Sequence, residues 1–198
     1  ATFPDLKSTT EYTVESVPFN QTGSFADGTP IVFSGDDTWS SAIPMGFTFC
    51  FYNNNYNSVT VGDNGIVRFG YDSSVPEGAF SSIINTTPNP SLVRNAIFGG
   101  FQDMLNIPAG FGCAAGENCG TVTYLTTGTA PFRKFIVNFN AVNHFNCYGT
   151  NTRKSTFQII LNETTNIVEV NVKDKPLTCT GNISANGNGN SLIGLNNS

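Results

Sequence analysis

The chain has 198 residues, a net charge of −5 and only 12% charged residues, about half the usual share for a soluble globular protein. Its pI of 4.6 and scattered Lys and Arg leave no basic stripe to neutralise phosphates, which argues against a nucleic-acid partner. No apolar run approaches the roughly 20 residues needed to span a bilayer, and a length of this order suits one domain over 1–198.

The opening stretch "ATFPDLKSTTEYTV" carries neither a cationic leader nor an apolar signal core, so an export signal is expected to lie upstream or to have been removed, with the chain a fragment of a longer one. "EYTVESVPF", with Tyr12, Val14 and Val17, and "TPIVFS", around Val32 and Phe33, predict two early strands. In "MGFTFCFY" the rings of Phe47, Phe49 and Phe51 recur at period two, which predicts a core strand with Thr48, Cys50 and Tyr52 on its other face. "NNNYN" reads as the following turn, because Asn tolerates left-handed backbone angles. Asp63-Asn64-Gly65 then stands between alternating apolar runs, the strongest local hairpin signal in the chain. "YDSSVPEGAFSSIINTTPNPSL" lacks periodicity and reads as a long loop with a short helical turn at its end. Regular alternation returns in "GTVTYLTTGTAPFRKFIVNFNAVNHF", in "STFQIILNETTNIVEVNV" and in "SLIGLNN", which predict two hairpins and a last strand. No helix of normal length is predicted. The expected architecture is all-β: a single antiparallel β-sandwich, jelly-roll-like.

Five cysteines without metal-ligand spacing indicate an oxidising compartment. Cys113 and Cys119 bracket a short loop, and Cys147 and Cys179 stand at predicted strand ends. The expected pairs are Cys113 with Cys119 and Cys147 with Cys179, leaving Cys50 a buried free thiol; sequence alone leaves the connectivity open.

The ordered segments "DDTWSSAIPMGFTFCFYNNNYNSVTVGDNGIVRF", "RNAIFGGFQDM", "GTVTYLTTGTAPFRKFIVNF", "STFQIILNETTNIVEV" and "LIGLNN" resemble a domain of large secreted surface proteins of the Bacteroidota. These include gliding-motility adhesins and PKD-repeat proteins exported by type IX secretion. More distantly, the plan is similar to the nidogen-like extracellular domain. The resemblance covers roughly residues 12–197 and implies an extracellular, cell-surface adhesive or structural module without catalytic residues. Its partners would be surface glycans, an extracellular polymer, or neighbouring domains of the same polypeptide. The loop from Cys113 to Cys119 departs from the nidogen-like pattern.

Catalytic motifs are weak. His144 is the only histidine, no Gly-x-Ser-x-Gly elbow accompanies it, and it reads as a strand-end residue. Asp36 and Asp37 are the candidate metal ligands: adjacent carboxylates can hold calcium, although a solvated turn with an Asx cap is the plainer reading because the spaced ligands of a defined calcium loop are absent. Asp63 reads as turn chemistry. Trp39 and Asp103 are the candidate ligand-binding residues, Trp39 by stacking on a sugar and Asp103 from a greasy loop, against the competing readings of core packing and structural capping. A carbohydrate-binding module assisted by calcium is the alternative function, and a hydrolase the remote one.

Overall fold

The computed structural model describes residues 13, 15–70, 87–105, 119–145, 147, 153–176 and 191–197. Among the described residues eleven strands follow one another: β1 (Thr29–Pro30), β2 (Ile43–Phe51), β3 (Asn54–Gly62), β4 (Ile66–Phe69), β5 (Ala96–Phe101), β6 (Met104–Leu105), β7 (Thr121–Thr127), β8 (Lys134–His144), β9 (Lys154–Asn162), β10 (Val168–Asp174) and β11 (Leu192–Asn196). They form two antiparallel sheets packed as the expected sandwich. One has the order β1-β7-β8-β9-β10, with β6 paired to the end of β8 beyond β7; the other has the order β11-β5-β4-β3-β2. Each sheet is built mainly as a meander, extended at one edge by a long-range pairing, β1 with β7 and β11 with β5.

Period-two alternation decides which faces meet. In β2 the side chains of Ile43, Met45, Phe47, Phe49 and Phe51 are buried while Pro44, Gly46 and Thr48 are exposed. They join Val59, Val61, Val67 and Phe69 of the same sheet and face Phe135, Val137, Phe139, Phe157, Ile159 and Leu161 of the other. Ring pairs add directional contacts: Phe49 stacks on Phe69 at 5.5 Å and Phe139 on Phe157 at 4.5 Å. A bulge in β8 between Phe139 and Val142 inserts an extra residue, so both remain buried across the irregularity. Opposite residues of β4 and β5 feed a second cluster of Ile66, Phe98 and Phe101 with Leu92, Val93 and Leu192. Asn196, at the end of β11, is wholly buried. Its Nδ2 donates to the carbonyls of Asn89, Leu92 and Val93, pinning that covering loop.

Several expectations shift. The strand predicted at Val17 is irregular there and 74% exposed, since a lone valine beside Pro18 has no apolar face to bury; Tyr12 and Val14 lie outside the described residues. Around Val32 and Phe33 the strand shrinks to Thr29–Pro30, where Pro30 has no N–H to continue a ladder. The β2–β3 turn is Tyr52-Asn53, both at positive φ (46° and 62°), a type I′ hairpin; "NNYN" therefore belongs to β3. β6 was not anticipated, because two residues carry no periodicity. Cys50 is a free thiol, half-buried on the outer face of β2 instead of sealed in the core.

β5 approaches β9 closely at Gly99, where an added Cβ would lie 2.3 Å from Ile159 Cγ1. Gly99→Ala is expected to destabilise the domain by about 1–3 kcal/mol through overpacking, measured as a lower urea midpoint at unchanged slope. An equal midpoint would mean that the sheets separate freely at this point.

Candidate functional site

Three segments converge where the chain leaves one sheet for the other. Upstream of β2, Ser40 N donates to Val61 O at 2.8 Å, Val61 N to Ser40 Oγ at 2.9 Å and Asp63 N to Thr38 O at 3.2 Å, while Trp39 bridges to Gly62. This pairing lays residues 35–37 beside the β3–β4 turn. There Thr38 Oγ1 donates to Gly35 O at 2.8 Å, and Asp37 adopts φ 56°, a left-handed angle that Asp tolerates. The turn itself is Asp63-Asn64-Gly65, with Gly65 at φ 84° as a three-residue hairpin requires. The third segment, Gln102-Asp103, joins β5 to β6, and Gln102 N donates to Asn64 O at 3.3 Å.

Carboxylate oxygens of Asp36, Asp37 and Asp103 all lie within 4.8 Å of one another. Asp103 is buried and Asp63, beside them, has no exposed surface. Asn64 organises the group: Nδ2 donates to Asp37 Oδ1 at 2.9 Å and to Asp63 Oδ1 at 3.1 Å, while Oδ1 accepts Met104 N at 2.6 Å. Among the described residues Asp63 Oδ2 has no hydrogen-bond partner. Burial pushes the Asp63 carboxyl up to about 8, the charges of Asp37 and Asp36 add to the rise, and the main-chain N–H groups of Thr38 and Asp37 offset part of it. Burial also raises Asp36, helped by Asp37, and raises Asp37 against the hydrogen bond from Asn64.

The structure thus gathers Asp36, Asp37 and Asp103, predicted separately, and adds Asp63, whose sequence context of "GDNG" between apolar runs reads as turn chemistry alone. Trp39 is half-buried, packed on the second apolar cluster, with the Arg68 guanidinium 5.9 Å from its ring centre. It sits on the margin of the acidic corner and not at a loop tip.

His144 ends β8, as expected, and is buried. Its Nδ1 lies 2.9 Å from Gln102 Nε2 and its Nε2 2.8 Å from Ser155 Oγ. Because the amide nitrogen can only donate, Nδ1 accepts and Nε2–H donates to the serine. Burial, then Lys175 and Arg153, lower the imidazole to about 3, so it stays neutral. The serine acts as acceptor here, which fits a structural bridge and leaves no base to activate it.

Across that bridge lies a groove of about 690 Å³ lined by Arg153, Lys154, Lys173 and Lys175 with Ala141 and Thr156. The scattered cations of the sequence are therefore corrected here: four of the nine meet because the start of β9 pairs with the end of β10. Asp174 also lines the groove, and burial lowers Lys175 to about 8. Cys119 and Cys147 are disulfide-bonded; the pairings expected for them involve Cys113 and Cys179, which lie outside the described residues. Among the described residues no helix is long and apolar enough to cross a membrane.

The family model described as NIDO-related, that is nidogen-related, matches residues 11–198. No curated protein and no solved structure matches the chain.

Two outcomes follow from this geometry. Asn64→Ala strips three side-chain hydrogen bonds and is expected to lower stability by about 2–4 kcal/mol, read by chemical denaturation. For His144 the folded pKa lies below the unfolded value, so the unfolded chain takes up the proton first. Stability is complete above about 6.5 and declines as pH falls towards about 3. Asp63 has the opposite slope, and comparison with His144→Gln cancels it. Between pH 7 and 4.5 the unsubstituted protein should lose about 2–3 kcal/mol more than the variant; parallel pH profiles would show that the imidazole is protonated in the fold.

Proposed function

The chain belongs to the NIDO-related family, and from that membership we propose that it is a non-catalytic, extracellular adhesive module of a longer surface protein. Disulfide-bonded Cys119 and Cys147 support an oxidising environment. The finer assignment, to cell-surface adhesins of the Bacteroidota exported by type IX secretion, rests on the ordered segments that resemble them. With it go the pairs Cys113–Cys119 and Cys147–Cys179, which non-reducing peptide mapping reads directly.

The observation that favours binding over a passive spacer is the basic groove. A protein of net charge −5 that gathers Arg153, Lys154, Lys173 and Lys175 at one cavity concentrates its positive potential where an anionic chain can enter. Thr156 stands among these cations, and its Oγ1 accepts Ala141 N at 3.1 Å. The groove suits an extracellular polysaccharide bearing carboxylate or sulfate groups, with ammonium and guanidinium groups contacting successive anions.

Retention of the purified domain on immobilised heparin and alginate, with dextran as the neutral control, tests this reading. Binding should be anion-dependent, weaken as salt rises from about 50 to 500 mM, and drop about tenfold in Lys154→Ala/Lys173→Ala. Equal retention on dextran, or binding unchanged by the double substitution, would overturn the groove as the contact surface and leave a spacer.

A further inference from the structure

The acidic corner is independent of the groove's ligand and rests on different atoms. We infer that Asp36, Asp37 and Asp103 form a calcium site, with the buried Asp63 beside it on the same Asn64 amide, that ties the segment before β2 to the β3–β4 turn and the β5–β6 corner.

The three-carboxylate spacing suits the ion. Calcium binds oxygen at about 2.3–2.6 Å, so two ligands on opposite sides of it stand about 5 Å apart, and every pair among Asp36, Asp37 and Asp103 falls within 4.8 Å. No backbone rearrangement is needed to bring these oxygens around one cation. The second observation is Asp63. Its side chain is fully buried, its Oδ1 shares the Asn64 amide with Asp37, and its Oδ2 has no hydrogen-bond partner among the described residues. A buried carboxylate oxygen without a donor is costly, and a cation among the neighbouring carboxylates satisfies it. Asn64 donates to the carboxylate oxygens on one side and leaves the others for the ion.

The donor set also selects the ion class. All four side chains offer hard oxygens, with no imidazole or thiolate among them. Three carboxylates from two separate segments, with a fourth acid beside them, suit the irregular, higher coordination of calcium more than the small octahedron of magnesium, which retains most of its water. Water and main-chain carbonyls complete the shell.

Trp39 supplies a built-in reporter. It is the only tryptophan, two residues from Asp37 and bridged to Gly62 beside Asp63, so it can sensitise terbium bound at the corner. The purified domain is titrated with terbium, excited at the indole band, and the ion is displaced with calcium or magnesium; thermal midpoints are recorded in parallel. Expected are saturable terbium emission displaced by calcium, and a calcium-induced rise in midpoint of about 3–8 °C at about 5 mM. Asp37→Asn, whose side chain is exposed and whose folding is therefore secure, should weaken calcium binding at least about tenfold, as should Asp63→Asn and Asp103→Asn. Asp174→Asn, in the basic groove, should retain the full response. No emission and no midpoint shift, an equal shift with magnesium, or a response in Asp37→Asn and Asp63→Asn matching the unsubstituted protein would overturn the site. Polysaccharide retention in the same preparations separates failure of this site from failure of the groove.

Discussion

The carboxamide of Asn64 meets three partners from two different sheets: Asp37 and Asp63 through Nδ2, and the main-chain N–H of Met104 through Oδ1. Most of the contact between the sheets is through apolar side chains, whose attraction is strong and non-directional and so does little to fix how one sheet slides on the other; at the far end Thr126 Oγ1 and Arg133 donate to the Met45 and Gly46 carbonyls. A hydrogen bond of 2.6 Å into Met104 fixes that offset at one point. β6 has only two residues, too few to hold its own register against β8. Its alignment, Met104 with His144, is secured from the opposite sheet. The main-chain bond from Gln102 N to Asn64 O braces the same corner, so the passage from β5 to β6 and the turn from β3 to β4 are set together.

Most of the sandwich is legible in the sequence because period-two burial is a local property. Phe47, Phe49 and Phe51 announce their face without reference to any partner, and Phe135, Val137 and Phe139 do the same. Turn chemistry is legible where Gly is needed, as at Gly65, and less so where Asn is abundant. The I′ turn sits at Tyr52-Asn53 although three asparagines compete for it, and pairing of Phe51 with Asn54 across the hairpin decides the matter. The acidic corner is only half legible. Asp36 and Asp37 are conspicuous as neighbours, but Asp103 reaches them through a sheet-to-sheet crossing and Asp63 through a turn, and neither distance has a signature in the linear pattern. The basic groove is hidden for the same reason, since Arg153 and Lys154 stand some twenty residues before Lys173 and Lys175 and meet only in the β9–β10 register.

These two oppositely charged features share one rim. Gln102 neighbours Asp103, Ser155 neighbours Lys154, and His144 joins Gln102 to Ser155 through both ring nitrogens. The basic groove helps to keep that imidazole neutral, because Lys175 and Arg153 oppose its protonation. A neutral imidazole with both ring nitrogens hydrogen-bonded can be buried at modest cost, whereas a charged imidazolium there would require a counterion. The rim therefore separates its two potentials by a polar layer held in a single tautomer.

Loop-bearing ends of a sandwich normally gain their order from the strands beneath them, and here the strands alone leave residues 35–37 attached by few bonds. Main-chain pairing reaches back to Thr38, Thr38 Oγ1 reaches Gly35, the Asn64 amide reaches Asp37, and the acidic groups beyond these bonds disfavour one another's ionisation. A cation reverses the sign of that contact. It joins positions 36, 37, 63 and 103, far apart in the chain, and so acts on the unfolded ensemble as a cross-link does while removing the repulsion in the folded one. In a domain with only 12% charged residues, gathering these acids in a partly buried corner raises the carboxyls of Asp36, Asp37 and Asp63, and the inferred cation would offset that cost as well as brace the turn.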